Sequence, residues 1–232
     1  MSTTSSEQTT GQSESDRHVR ELRMPARIGG ICGLAAFVTV NIGWIVGGFA
    51  QPTAYSVAND DISDLGAVTA DSPWIYNRIG ANLTGLLVVV LALGLWRALS
   101  PDLLGRIGAG AMLVAGAGAL LDGFFQLDCQ GIDANCTNDS WHSHAHKVES
   151  AITGGATIAA PLILAFAFRR IPAWRDSWLP SLIAVPAIVL ASVAFSAVGS
   201  GAATRAGTVV AFLWIAFVSV RLLQKGDRSA AS

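Results

Sequence analysis

The stretch "IGGICGLAAFVTVNIGWIVGGF" (Ile28–Phe49) runs 22 residues without a charge. About 20 mostly apolar residues suffice for a helix to cross the hydrocarbon core of a bilayer. Five more stretches have that character: Trp74–Leu99, Ile107–Phe125, Val148–Phe168, Leu179–Val198 and Ala206–Leu223. The fourth helix can begin as early as Trp141. Membrane-spanning strands would show short alternating segments of about 10 residues instead. The fold expected is all-α, a polytopic membrane bundle of six transmembrane helices in one domain, residues 25–224.

The rest of the chain agrees. Hydrophobic residues make up 52% and charged residues 13%, about half the charge of an ordinary soluble domain. Gly-rich runs such as "GAGAMLVAGAGALLDG" (Gly108–Gly123) suit close approach of membrane helices. The first apolar run is too long for the h-region of a cleaved signal and lies behind a polar segment. The opening "MSTTSSEQTTGQSESD" is Ser/Thr-rich and poor in apolar residues, so residues 1–24 read as a disordered tail and 225–232 as a second tail. Net charge is −1, which gives no footprint for nucleic acid. The partner implied is the lipid bilayer, together with a small-molecule or lipid ligand whose identity the composition leaves open. Arginine outnumbers lysine 13 to 2, a bias expected of a GC-rich bacterial genome.

Basic residues set the expected orientation. Arg17, Arg20, Arg23, Arg27, Arg97, Arg106, Arg169, Arg170, Arg175, Arg221, Lys225 and Arg228, twelve of fifteen, fall on the side of the termini. The positive-inside rule places both termini in the cytoplasm of a plasma-membrane protein. The opposite face carries two long acidic loops, Gln51–Pro73 and Gln126–Trp141. Cys129 and Cys136 share the second. An oxidising compartment favours a disulfide between them; two free thiols or two metal ligands are the alternatives. Cys32, inside the first span, reads as a small packing residue.

Polar side chains within the spans cluster toward the acidic loops: Asn41, the pair Arg78 and Asn82, the pair Asp122 and Gln126, and Glu149 with Thr153. Such residues mark functional positions by default, because each is costly in lipid. If Asp139 or Ser140 caps the fourth helix, His142, His146, Glu149 and Thr153 share one face, with His144 pointing elsewhere. Two imidazoles four residues apart can grip one metal ion. His142, His146 and Asp122 are therefore the candidate ligands for a divalent metal such as zinc, with Glu149 or Asp128 as general base. The competing readings are hydrated residues at a helix end, or a His–Asp brace between helices. In "NDDISDLGA" (Asn59–Ala67), Ser63 and Asp64 either join the pocket or shape the loop. Arg205 pairs with these aspartates or anchors at the interface.

These residues also carry a resemblance. "DDISDLGA" (Asp60–Ala67), "LLDGFFQLD" (Leu120–Asp128), "HSHAH" (His142–His146) and "GAATRAG" (Gly201–Gly207) resemble, in order and spacing, the domain-of-unknown-function 998 family of bacterial and archaeal membrane proteins. The resemblance runs from about Arg27 to Leu223. It implies about six spans and singles out Asp122, Asp128, His142 and His146. The cysteine pair departs from the family's usual short loop. No reaction comes with the family. Three functions fit the residues: a metal-dependent hydrolase of a lipid or amide, a small-solute or proton-coupled transporter, and a noncatalytic membrane partner. Against transport stand the lack of ionisable groups in the other halves of the spans and of an evident inverted repeat.

Overall fold

The computed structural model describes the backbone of residues 4–228 and the side chains of 24–225. Six helices are long and apolar enough to cross a membrane, and no strand occurs among the described residues. They are α1 (Thr4–Phe49), α2 (Ile75–Ala98), α3 (Leu103–Asp122), α4 (Trp141–Arg170), α5 (Trp178–Ser196) and α6 (Ser200–Arg228). The expected tails, 1–24 and 225–232, lie outside the described side chains except at Met24 and Lys225.

Helix ends follow the polar caps more than the apolar runs. α3 begins when Asp102 accepts the Gly105 N–H at 2.6 Å. It stops at Asp122, three residues short of Phe125. There Asn82 Nδ2 donates to the Leu120 carbonyl at 2.6 Å, satisfying one of the carbonyls a helix end leaves open. α4 begins at Trp141, where Ser140 accepts the Ser143 N–H at 3.2 Å. α6 begins at Ser200, ahead of the apolar run, because Arg205 is taken into the protein rather than left outside it. α2 opens with nine residues of π-helix, Ile75–Leu83, before continuing as α-helix from Thr84. Such wide turns are rare and concentrate at functional sites.

The apolar core occupies the end of the bundle that carries the termini. Leu91 and Leu95 of α2, with Leu99 just past its end, meet Met112 of α3, Leu164 and Phe168 of α4, and Val218 and Leu222 of α6. Trp174, in the short 3₁₀ turn Pro172–Ser177, stacks on Phe168 with ring centroids 4.9 Å apart. Small residues bring helices into backbone contact elsewhere: a side chain on Gly43 of α1 would collide with the backbone of Gly80 of α2. Large side chains such as Ile31, Leu86, Leu93 and Ile183 point outward and stay exposed. On a soluble protein that much apolar surface would be an aggregation hazard; on a six-span bundle it faces lipid.

At the other end, loops roof the bundle. Val68 N–H bonds to Leu127 O at 2.9 Å, joining the two long loops. Gln130 Nε2 donates to Gln51 Oε1 at 2.8 Å and to Asp64 O at 3.2 Å. Cys129 and Cys136 are bonded as a disulfide within the second loop.

Candidate functional site

The cap that starts α4 also aims its first three turns at α3. The Asp128 carboxylate accepts the Ser140 N–H at 2.9 Å, and Asp128 N–H bonds to Asn138 Oδ1 at 2.8 Å. The Ser140 hydroxyl and N–H hold the Asp128 carboxyl below the usual carboxylate range. From that anchor, helical spacing places His146, Glu149 and Thr153 on one stripe facing the end of α3. Gly118 of α3 permits the approach, because any side chain there would strike Thr153 Oγ1.

Asp122, His146 and Glu149 meet on this stripe. One ligand-capable atom from each lies within 4.8 Å of the other two. His146 Nδ1 stands 3.0 Å from Asp122 Oδ1, yet the two are not aligned as a hydrogen bond. Tyr76, from the π-helical start of α2, donates to Asp122 Oδ2 at 3.0 Å. Thr153 donates to Glu149 Oε1 at 2.5 Å, and Ser150 Oγ lies 3.4 Å from His146 Nε2. His146 and Glu149 are each buried. Among the described residues, no Lys or Arg forms an ion pair with either carboxylate. Two carboxylates and an imidazole thus share a small volume with hydroxyl donors as their polar neighbours.

Asp122 and Glu149 of the cluster help line a cavity of about 490 Å³, whereas His146 is not among its lining residues; the volume is inside the range of small-ligand pockets. Asp122, Glu149, Ser150 and Thr153 lie at one end. Val40, Ile158, Ile188, Ala211 and Phe212 line the rest, with Thr157, Ser192, Thr204 and Thr208 between. The cavity involves all six helices, not only the first four. α6 packs along α1 and closes the ring. A second groove of about 580 Å³ lies on the α3–α4 flank and is lined mainly by apolar residues, with His144 and Glu149. It lacks the cluster's other members.

Other sequence candidates lie apart from the cluster. His142 is exposed and stacks on Trp141, with ring centroids 3.6 Å apart. It shares the angular stripe but sits one turn, about 6 Å, farther along the axis, where α3 has already ended. Asp128 caps α4 and does not line the cavity. Gln126 is not one turn beyond Asp122 on a helix, since α3 has ended. Asn41 and Trp44 are bonded to one another on α1, and Asn41 also donates to Phe37 O at 2.7 Å. Arg78 donates to Asn82 at 2.8 Å and lies over the Phe124 ring at 5.4 Å, so both residues finish the α3 terminus. Ser63 and Asp64 lie in the 3₁₀ turn Ile62–Gly66. Asp64 is buried under the second loop, and burial, reinforced by Asp61 and Asp60, raises its carboxyl to about 6. Among the described residues Arg205 makes no carboxylate ion pair; it donates instead to the Val57, Asp60 and Gly201 carbonyls at 2.9, 2.8 and 3.0 Å and to the Tyr55 hydroxyl.

Tyr76, Ser150, Thr157, Ser192, Thr204 and Thr208 are site-lining residues that a survey of ionisable and amide groups passes over. Hydroxyls are cheap enough in a span to leave little trace in hydropathy. Tyr76 alone carried a signal, as a polar aromatic next to the Arg78–Asn82 pair.

A family model for a protein of unknown function, DUF998, matches residues 31–221. The chain belongs to the DUF998 family. The matched region contains every residue of the cluster and every residue lining the cavity. No curated protein and no solved structure matches the chain. DUF998 membership therefore settles kinship and leaves the activity to be argued from the site.

Proposed function

We propose that this DUF998 protein is a metal-dependent intramembrane hydrolase. The observation that carries the reading is the convergence of Asp122, His146 and Glu149 within 4.8 Å, with Asp122 and Glu149 lining a cavity. Zinc bonds to nitrogen and oxygen are about 2.0–2.2 Å, and catalytic zinc takes three protein ligands plus a water. One imidazole and two carboxylates match that count, and the two carboxylates also line the cavity. The ion would lower the pKa of its bound water to about 7, supplying hydroxide at neutral pH. Tyr76 and Thr153 hold the ligating carboxylates in place, as outer partners of metal ligands do. Glu149 would serve either as the third ligand or, with Asp122 and His146 alone on the ion, as the base for its water. The skewed His146–Asp122 contact favours a shared ion over a direct bond.

The positive-inside pattern supports cytoplasmic termini in the plasma membrane and an outward-facing site. A reporter fused after Ser232 should then read out in the cytoplasm. The metal reading is tested by elemental analysis of protein purified without chelator. Wild type should carry about one divalent ion per chain, and His146→Ala and Asp122→Asn should each lose it while keeping a native elution profile. Wild type free of metal under those conditions refutes it. That result would leave the second reading, supported by the Tyr76–Asp122 and Thr153–Glu149 bonds, in which the cluster is an internal brace.

A further inference from the structure

The buried face of α5 does not stay buried. Ser181, Ala184 and Ile188 follow one helical face and are 0%, 7% and 6% exposed. Ser192, one turn on, is half-buried, and Phe195, where the face ends, is 50% exposed. Opposite, α4 changes in the same direction. Ala160, Leu164 and Phe168 are buried, whereas Ser150, Gly154 and Ile158, spaced four residues apart, are exposed even though all three line the cavity. A side chain placed on Gly154 or Gly155 would meet no atom within 4 Å. α5 remains closed against α6, where Gly207 abuts the Ser192 side chain. The gap is therefore between α4 and α5, at the loop end, and it opens into the cavity.

The position of that gap identifies what fills it. Gly154 and Ile158 belong to the apolar run Val148–Phe168, so the mouth opens at hydrocarbon depth and not into water. A partner helix, about 10 Å across, does not fit inside 490 Å³, but a flexible apolar chain does. Glu149 stands five residues above Gly154, about 7.5 Å along the axis. We propose that the α4–α5 opening is a lateral portal through which an acyl chain of a bilayer lipid enters. The lipid's polar junction would lie against Asp122 and Glu149, the two members of the cluster that line the cavity. This rests on the hydrolase reading only in naming the substrate class as a lipid ester or amide; the portal itself does not require metal.

The full-length protein in phosphatidylcholine–phosphatidylglycerol vesicles, with a trace of phospholipid bearing a diazirine at its acyl terminus, provides the test. Irradiation followed by peptide mapping should label the cavity residues Thr157, Thr208 and Phe212, besides outward residues such as Leu86 and Leu93. Gly154→Trp puts a bulky side chain in the mouth, where its Cβ meets no neighbouring atom within 4 Å. It should cut labelling of Thr208 and Phe212 at least fivefold and leave Leu86 and Leu93 unchanged. Ile158→Trp, one turn away, should do the same. Wild type labelled only on outward residues, or cavity labelling untouched in both variants, overturns the portal; so does cross-linking of α5 to a second copy in place of lipid. Metal is measured on the same samples. Cavity labelling without metal sinks the hydrolase reading and leaves the portal standing; metal without cavity labelling does the reverse.

Discussion

Two buried polar sites share the loop end of this bundle and are built on opposite plans. At Arg205 a single cation is surrounded by acceptors. It has three carbonyls, the Tyr55 hydroxyl, and the Trp44 and Tyr55 rings at 5.8 and 5.9 Å; Nε alone lacks a hydrogen bond. At Asp122, His146 and Glu149 two carboxylates converge with hydroxyl donors and no Lys or Arg ion pair among the described residues. The first site lacks only a partner for Nε, and its carbonyl partners come from the first loop and the start of α6. The second has charge that its neighbours do not balance, and it borders open space. A charge already satisfied by the chain holds structure together; one left unbalanced beside a cavity is placed for something that arrives later.

That contrast predicts opposite costs. Arg205→Ala should destabilise the protein by about 3 kcal/mol or more, because three loop and helix carbonyls lose a charged donor at once in a buried place. Arg205→Lys should recover only part of this, since an ammonium lacks the planar fork. Thermal unfolding in detergent measures both, and an Arg205→Ala variant as stable as wild type would erase the distinction. Gly118→Val comes next, at about 1–3 kcal/mol, since the new side chain must displace Thr153 and then Glu149. It should also abolish metal binding, whereas Arg205→Lys that still folds should retain it. Asp122→Asn should change stability by less than about 1 kcal/mol, because the amide still accepts from Tyr76 and a like charge beside Glu149 is gone. On the proposed reading it nevertheless costs at least about 100-fold in metal affinity, read by competition with a chromogenic chelator. Loss of stability matching that of Arg205→Ala would make the cluster a brace after all.

The bundle was legible because lipid demands long apolar runs, and all six appear as helices. The cluster was half legible. The stripe of His146, Glu149 and Thr153 follows from periodicity, and Asp122 from its place at the end of the neighbouring helix. His142 fell outside because a helical wheel carries angle but no height: it shares the azimuth of His146 and stands a turn beyond the end of α3. Asp128 and Gln126 fell outside because α3 ends at Asp122, a stop imposed by Asn82 from another helix, which no local pattern announces. Arg205 reads from sequence as a partner of the first-loop aspartates or an interfacial anchor, because burying a cation without a carboxylate requires carbonyls from 145 and 148 residues away. The α4–α5 gap has no local signature either, since Gly154 and Gly155 look like the packing glycines elsewhere in the chain and differ only in having nothing opposite them.

The smallest effect expected concerns Asp64, which lies in the first loop near Tyr55 of the Arg205 clamp, yet gains no ion pair. Burial lifts its carboxyl from 3.8 to about 6, with Asp61 and Asp60 adding to the rise, while the Gly131 N–H pulls the other way. The folded state therefore binds this proton more tightly than the unfolded chain does. The stabilisation from that proton is fully present below pH 3.8 and is lost as pH rises through about 6. Asp64→Asn keeps an acceptor for Gly131 and removes the titration. The difference in melting temperature, wild type minus Asp64→Asn, should fall between about pH 4 and pH 6.5 and then level off, even if other groups tilt both curves alike. A difference that rises with pH over the same interval would mean that the Gly131 N–H outweighs burial and that the Asp64 charge, like that of Arg205, is held chiefly by backbone. The contrast between a satisfied charge and an unbalanced one would then belong to the Asp122–His146–Glu149 cluster alone.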